Sequence, residues 1–146
     1  MTPVAAGDPP RRLYLDTSAY LCILLGEAGS AKLAEETDGA EVLSSVLLVL
    51  EARRNLVRLA REKALAPEQY KVCTERMEGD IALFVLRDLT LDLCRAHALP
   101  AIATPRSLDL AHLRTALAFH ADQPIDRFVT VDISQAQVAK ELGLPV

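Results

Sequence analysis

Two short apolar runs in this chain end on an aspartate: "LYLD" closes at Asp16 and "FVTVD" at Asp132. No other feature constrains the fold as much. Runs this short, rich in Leu, Val and aromatic residues, suit buried strands better than helices. Aspartate is rarely buried unless something pairs with it, so a carboxylate directly after a core strand needs a reason to be there. If the strands run parallel, both aspartates fall at strand carboxyl ends. That is the edge at which open α/β sheets bind ligands.

The remaining segments supply strands alternating with helices. Residues 1–10, "MTPVAAGDPP", read as a mobile leader ahead of a single domain over 11–146. Leu13 to Leu15 is the first strand. Thr17 or Ser18 caps a helix from Ala19 to about Leu25, ended by Gly26 and Gly29. Ser30 caps "AKLAEET", which stops at Gly39. "EVLSS" (41–45) is the second strand. A long helix follows from Val46 to about Lys63, with Val46, Val49, Leu50, Leu56, Val57 and Ala60 at helical spacing. Pro67 opens its amphipathic partner, "PEQYKVCTERM", to complete an αα-hairpin. "IALFVL" (81–86) reads as the third strand, and Thr90 caps "LDLCRAHA". After a loop over 98–107, Ser107 caps "LDLAHLRTALAFHA". "RFVTVD" (127–132) is the fourth strand, "SQAQVAKELG" the last full helix, and "LPV" opens a short final strand. The expected fold class is α/β with a mostly parallel sheet.

Composition excludes several function classes. Hydrophobic residues make up 51% of the 146 residues, enough for a core. Aromatics are only 4%, with no Trp, which argues against a stacking platform for bases. The formal net charge of −4 leaves nucleic-acid binding to a local patch. Cys22, Cys73 and Cys94 lack metal-site spacing and read as reduced cysteines of a cytoplasmic protein. Arg11 and Arg12 before an apolar run imitate an export signal, but Asp16 interrupts that run. No stretch approaches the ~20 apolar residues of a membrane span.

Four acids invite attention, and each has an ordinary explanation. Asp16 can cap a helix, Glu51 can pair with Arg54 on a wet helix face, Asp109 can favour a helix dipole, and Asp132 can form an Asx-turn. Their placement suggests more. Asp16 and Asp132 follow strands, Glu51 lies on the helix leaving strand two, and Asp109 opens a late helix. All four can meet at one sheet edge. Two like charges ~4 Å apart repel by about 4 kcal/mol at an effective dielectric of 20. Such a cluster calls for protonation or for a divalent cation, and hard oxygen donors favour Mg²⁺ or Mn²⁺.

"YLDTSAYL", "SVLLVLEARRNL", "SLDLAHLRTAL" and "FVTVDISQAQVAKELGL" together resemble PIN-domain ribonucleases, most closely VapC-type toxins of bacterial toxin–antitoxin pairs. The likeness runs from about Leu13 to the end of the chain. Asp16, Glu51, Asp109 and Asp132 match the family's acids, with His112 three residues after Asp109. The resemblance implies a three-layer α/β/α fold with strand order 3-2-1-4-5. It also implies a metal-dependent RNA endonuclease, a homodimer, and a cognate antitoxin that blocks the site. Two positions depart from the pattern: Ile133 directly follows the fourth acid, and Arg114 stands where a small residue is common.

Supporting residues follow. Ser18 either bonds a carboxylate or metal water, or caps its helix. Thr130 projects to the same strand face as Asp132 and can hold a carboxylate or phosphate. His112 is either a base or a hydrogen-bonding fixture near the site. His97 and His120 sit near helix ends. Arg54, Arg58 and Arg61, in a basic stretch with Arg53 and Lys63, share one helix face that suits RNA phosphates, an antitoxin, or solvent alone. The expected function is endoribonuclease action by metal-activated water on a phosphodiester. The rivals are a non-catalytic interaction module of the same fold and a small-molecule phosphohydrolase.

Overall fold

The computed structural model describes residues 7–97, 99–101 and 103–146. Most of the leader, and positions 98 and 102 of the loop, lie outside them. Strands β1 (Arg12–Leu15), β2 (Glu41–Ser45), β3 (Val85–Arg87) and β4 (Arg127–Val129) form one sheet, ordered β3-β2-β1-β4 and parallel throughout. Among the described residues seven helices flank it: α1 (Thr17–Leu25), α2 (Ser30–Thr37), α3 (Leu47–Arg61), α4 (Pro67–Leu83), α5 (Leu91–Arg95), α6 (Ser107–Asp122) and α7 (Ile133–Glu141). The α/β class and the order 3-2-1-4 are as expected. No fifth strand forms among the described residues. However, Phe128 N–H donates to the Pro145 carbonyl at 2.7 Å, so "LPV" lies along the free side of β4.

Alternation along the strands divides the core in two, because successive side chains point to opposite faces. Leu13, Leu15, Val42 and Val129 pack with Ala19, Tyr20, Leu48, Ala52, Leu56 and Met77 on the side of α1, α3 and α4. Tyr14, Leu43 and Phe128 pack with Leu113, Ala116, Phe119, Val138 and Ala139 on the side of α6 and α7. Both faces of β1 are covered, which explains why Leu13–Leu15 reads as a continuous apolar run.

Several expected boundaries move. The run "IALFVL" is not a strand from its start: α4 continues to Leu83, and β3 covers only Val85–Arg87. The buried positions Met77, Asp80 and Phe84, with Ile81 packed beside them, follow helical spacing, and Tyr20 Oη donates to Asp80 Oδ2 at 3.1 Å. The core stripe of α3 is Leu48, Ala52 and Leu56, while Leu50 is 68% exposed and Val57 also faces solvent. Strand β4 ends at Val129, so Thr130 and Asp132 lie beyond it. Helix α5 ends at Arg95. Thr90 caps α5 as expected, its hydroxyl accepting from Leu93 N–H at 3.2 Å. At α1 the cap is Asp16, one of the readings open to it, in place of Thr17 or Ser18, and Ser30 and Ser107 are the first residues of their helices rather than their caps.

The three cysteines are unbonded, and among the described residues no helix is long and apolar enough to cross a membrane. Gly26 ends α1 in the left-handed region at φ 66°, with nothing within 4 Å of where a Cβ would stand. Substituting alanine therefore tests backbone strain alone. Gly26→Ala should lower unfolding free energy by about 1 kcal/mol in urea denaturation, with an unchanged slope.

Candidate functional site

Because every strand is parallel, residues that follow β1, β2 and β4 emerge at the same end of the sheet. Asp16 stands there directly after β1, 5% exposed. Its Oδ1 accepts from Ala19 N–H at 3.0 Å, capping α1, and from Ser18 Oγ at 2.7 Å. Its Oδ2 accepts from Thr130 Oγ1 at 2.5 Å. The two hydroxyls are themselves oriented by backbone donors. Ser18 Oγ accepts from Val131 N–H at 3.3 Å, and Thr130 Oγ1 from Asp132 N–H at 3.1 Å. Each hydroxyl proton is thereby aimed at the carboxylate. Burial pushes the Asp16 carboxyl above its ordinary range. The bonds from Thr130, Ala19 and Ser18, and the nearby His112, pull it back only in part.

Glu51, on the second turn of α3, does not pair with Arg54. Its Oε1 accepts from Thr17 Oγ1 at 2.8 Å and lies 2.8 Å from His112 Nε2. His112 is buried on α6, and its Nδ1 lies 2.8 Å from Tyr14 Oη on β1. Burial pushes the Tyr14 phenol well above its ordinary range, and at the other ring nitrogen an ionised Glu51 carboxylate can only accept. The Nε2 proton then faces Glu51. Burial alone would raise the Glu51 carboxyl. The bond and charge of His112, with the bond from Thr17, outweigh it and hold the group below its ordinary range. Of the two roles open to His112, the geometry favours the fixture: it orients Glu51.

Asp109 and Asp132 come together on the other flank. They share the wall of a cavity of about 520 Å³, along with Thr104, Pro105, Ser134 and Gln135. Asp132 is exposed and caps α7, its Oδ1 accepting from Ser134 N–H at 2.8 Å and Gln135 N–H at 3.1 Å. Gln135 is buried, and its Nε2 donates to the Asp109 carbonyl at 2.9 Å, tying the start of α6 to α7. Burial raises the Asp109 carboxyl. Asp132 and Glu51 raise it further, against Arg106 and His112.

The acids thus share one end of the sheet, but they are not drawn into a closed ligand set. Among the described residues, no three Asp, Glu, His or Cys side chains stand close enough to hold one metal ion. The donors nevertheless suit a hard divalent cation. All are carboxylate oxygens, and Asp16 and Asp109 carry raised pKa values of the kind that nearby positive charge relieves. Arg54, Arg58 and Arg61 lie elsewhere, on the exposed face of α3. There they line a shallow cavity with Leu50, Val57, Arg53 and Glu62. Arg58 Nη1 donates to Glu62 Oε2 at 2.9 Å, and Arg53 pairs with Glu78.

Two positioning residues escaped the sequence reading. Gln135 falls on the buried stripe of α7 with Val138 and Ala139, and a polar residue in an apolar stripe is its signal. Thr17 had no such signal, because its neighbour Ser18 has the same chemistry. No model of a known protein family matches the chain, and no curated protein matches it either.

Burial, with charge crowding, raises the Asp109 carboxyl and gives a pH-dependent expectation. A carboxyl raised in the folded state binds its proton more tightly there than in the unfolded chain. Its contribution to stability is therefore full below the unfolded pKa and is lost as pH rises through the folded one. Asp109→Asn removes that loss. In EDTA, the variant should melt higher than the wild type at pH 7. The gain should vanish below about pH 4, the unfolded aspartate pKa. Equal melting temperatures at pH 7 would contradict the raised carboxyl.

Proposed function

We propose that the chain is a metal-dependent endoribonuclease of the PIN type, acting as the toxin of a toxin–antitoxin pair. The observation that carries this reading is the buried Asp16 carboxylate. It is held by Ala19, Ser18 and Thr130 at the carboxyl end of a parallel sheet, yet keeps a raised pKa. A purely structural cap would be more stable on the surface or as a neutral side chain. Asp109, Asp132 and Glu51 approach from three further elements of the same edge.

Asp16 and Asp109 would hold Mg²⁺ or Mn²⁺, with Glu51 and Asp132 completing the donor set directly or through water. When bound, such a cation supplies positive charge to a phosphodiester and acidifies water. The residues of the chain do the positioning. Thr130 and Ser18 keep the Asp16 carboxylate in one orientation. His112 and Thr17 keep Glu51 ionised and fixed. Gln135 holds Asp109 and Asp132 across one cavity. The RNA phosphates, or the antitoxin, would meet the exposed Arg54, Arg58 and Arg61. A homodimer and a cytoplasmic setting belong to the same reading.

The open ligand set favours a second reading, a non-catalytic interaction module of the same fold. The two part on a single experiment. Asp16→Asn preserves the acceptor that caps α1, so its far-UV spectrum and cooperative melting should persist. RNA cleavage in Mn²⁺ should fall by about two orders of magnitude or more, the scale seen when a catalytic electrostatic group is removed. Wild-type cleavage should stop in EDTA. Cleavage that survives in the purified variant sinks the nuclease reading. A wild type with neither cleavage nor a Mn²⁺-dependent rise in melting temperature supports the module.

A further inference from the structure

A cavity of about 840 Å³ lies away from the acids. It is walled by β3, α5 and α6. Leu86, Leu93, Leu117 and Phe119 give it an apolar lining, and Arg114 enters that lining from α6. Arg114 is only 7% exposed. Its Nη1 is the one buried side-chain polar atom among the described residues without a hydrogen-bond partner. Leaving a charged donor buried and unmade is among the more costly arrangements a fold can contain. The other charged groups of the wall do not answer it. Arg87 is paired with Asp122 and lies over the Phe119 ring, 4.4 Å from its centroid. Asp88 lines the cavity, but no ion pair joins it to Arg114 among the described residues.

We infer that this cavity binds a small organic carboxylate with an apolar body, whose carboxylate pairs with Arg114. The size falls within the range of small-molecule sites. One unanswered cation calls for a monoanion, and a guanidinium matches the two oxygens of a carboxylate. A phosphate dianion would need further donors. The wall offers only Thr90 and an arginine already neutralised. Leu86, Leu93, Leu117 and Phe119 suit an aliphatic or aromatic body. Nη1 is closed off as the side chain stands, so binding turns the guanidinium outward into the cavity it lines. The site does not depend on the nuclease reading, since none of its residues belongs to the acid edge.

Hexanoate, hexanol and inorganic phosphate serve as probes, read by thermal shift and by methyl NMR of the leucines. Hexanoate should raise the wild-type melting temperature with dose and move the signals of Leu86, Leu93 and Leu117. Arg114→Met should weaken its Kd by about tenfold or more, the loss expected for a hydrogen bond to a charged group. Arg114→Lys should weaken it less. Hexanol and phosphate should bind more weakly than hexanoate. If Arg114→Met does not fold, Ala118→Leu tests the same site by narrowing the cavity and leaving the charge in place, and hexanoate binding should weaken there too. The inference fails if hexanoate leaves the wild type unmoved, binds the variants equally well, or is matched by phosphate or hexanol.

Discussion

A buried carboxylate at the point where β1 hands over to α1 is the constraint on which this site depends. Asp16 cannot be left there unpaired, and its partners come from two places: the first turn of α1, through Ala19 N–H and the Ser18 hydroxyl, and Thr130 beyond β4. Those hydroxyls are in turn held by the backbone donors of Val131 and Asp132. One charged group therefore ties the first strand, the first helix and the approach to the last helix into a single arrangement. The bonds do not fully offset burial, because the pKa stays raised. The edge is well ordered and still short of positive charge.

A second network works in the opposite direction. Tyr14, His112, Thr17 and Glu51 link β1, α6, α1 and α3 through contacts of 2.8 to 3.0 Å. Here the hydrogen bonds win over burial, and Glu51 is held ionised. The same edge thus contains carboxyls pushed up, Asp16 and Asp109, and one pushed down. His112 and Thr17 hold Glu51 below its ordinary range against burial, whereas burial holds Asp16 and Asp109 above theirs.

The alternation of strands and helices, and the acids that follow the strands, could be read from the chain, because strand length, hydrophobic period and the residue after each strand are local properties; the strand order was an expectation of the resemblance alone. What failed depended on contacts distant in the sequence. "IALF" looks like strand until Asp80 is seen bonded to Tyr20, a contact sixty residues away. The exposed Leu50 and Val57 share the apolar chemistry of the buried Leu48 and Leu56, and only packing against α4 and the sheet separates them. The helix caps show the same limit. Ser30, Ser107 and Thr17 all have capping chemistry, but at α1 Asp16 takes the role because the strand before it sets the backbone direction. Glu51 paired with His112 rather than Arg54 because the buried partner is held in place by Tyr14, whereas Arg54 faces open solvent.

Helix α6 shows why a charge pattern resists reading without its neighbours. Asp109, His112 and Arg114 lie within six residues, but each faces a different environment. Asp109 looks into the cavity it shares with Asp132, and His112 faces Tyr14 and Glu51. Arg114, two residues and about 200° further round the helix, lines the cavity beneath α5. A helix whose ionisable groups point in several directions has no single wet face on which to place them. It is nonetheless mostly buried, with Ala111, Leu113, Ala116 and Phe119 in the core. Each charge must therefore find a partner in its own direction. His112 has three, Tyr14, Thr17 and Glu51, and Asp109 sits among other acids, whereas Arg114 Nη1 has none among the described residues. The asymmetry follows from the fold: α7 brings Gln135 and Asp132 to one side of α6, β1 brings Tyr14 to another, and on the third side the cavity beneath α5 holds no acid paired with Arg114 among the described residues.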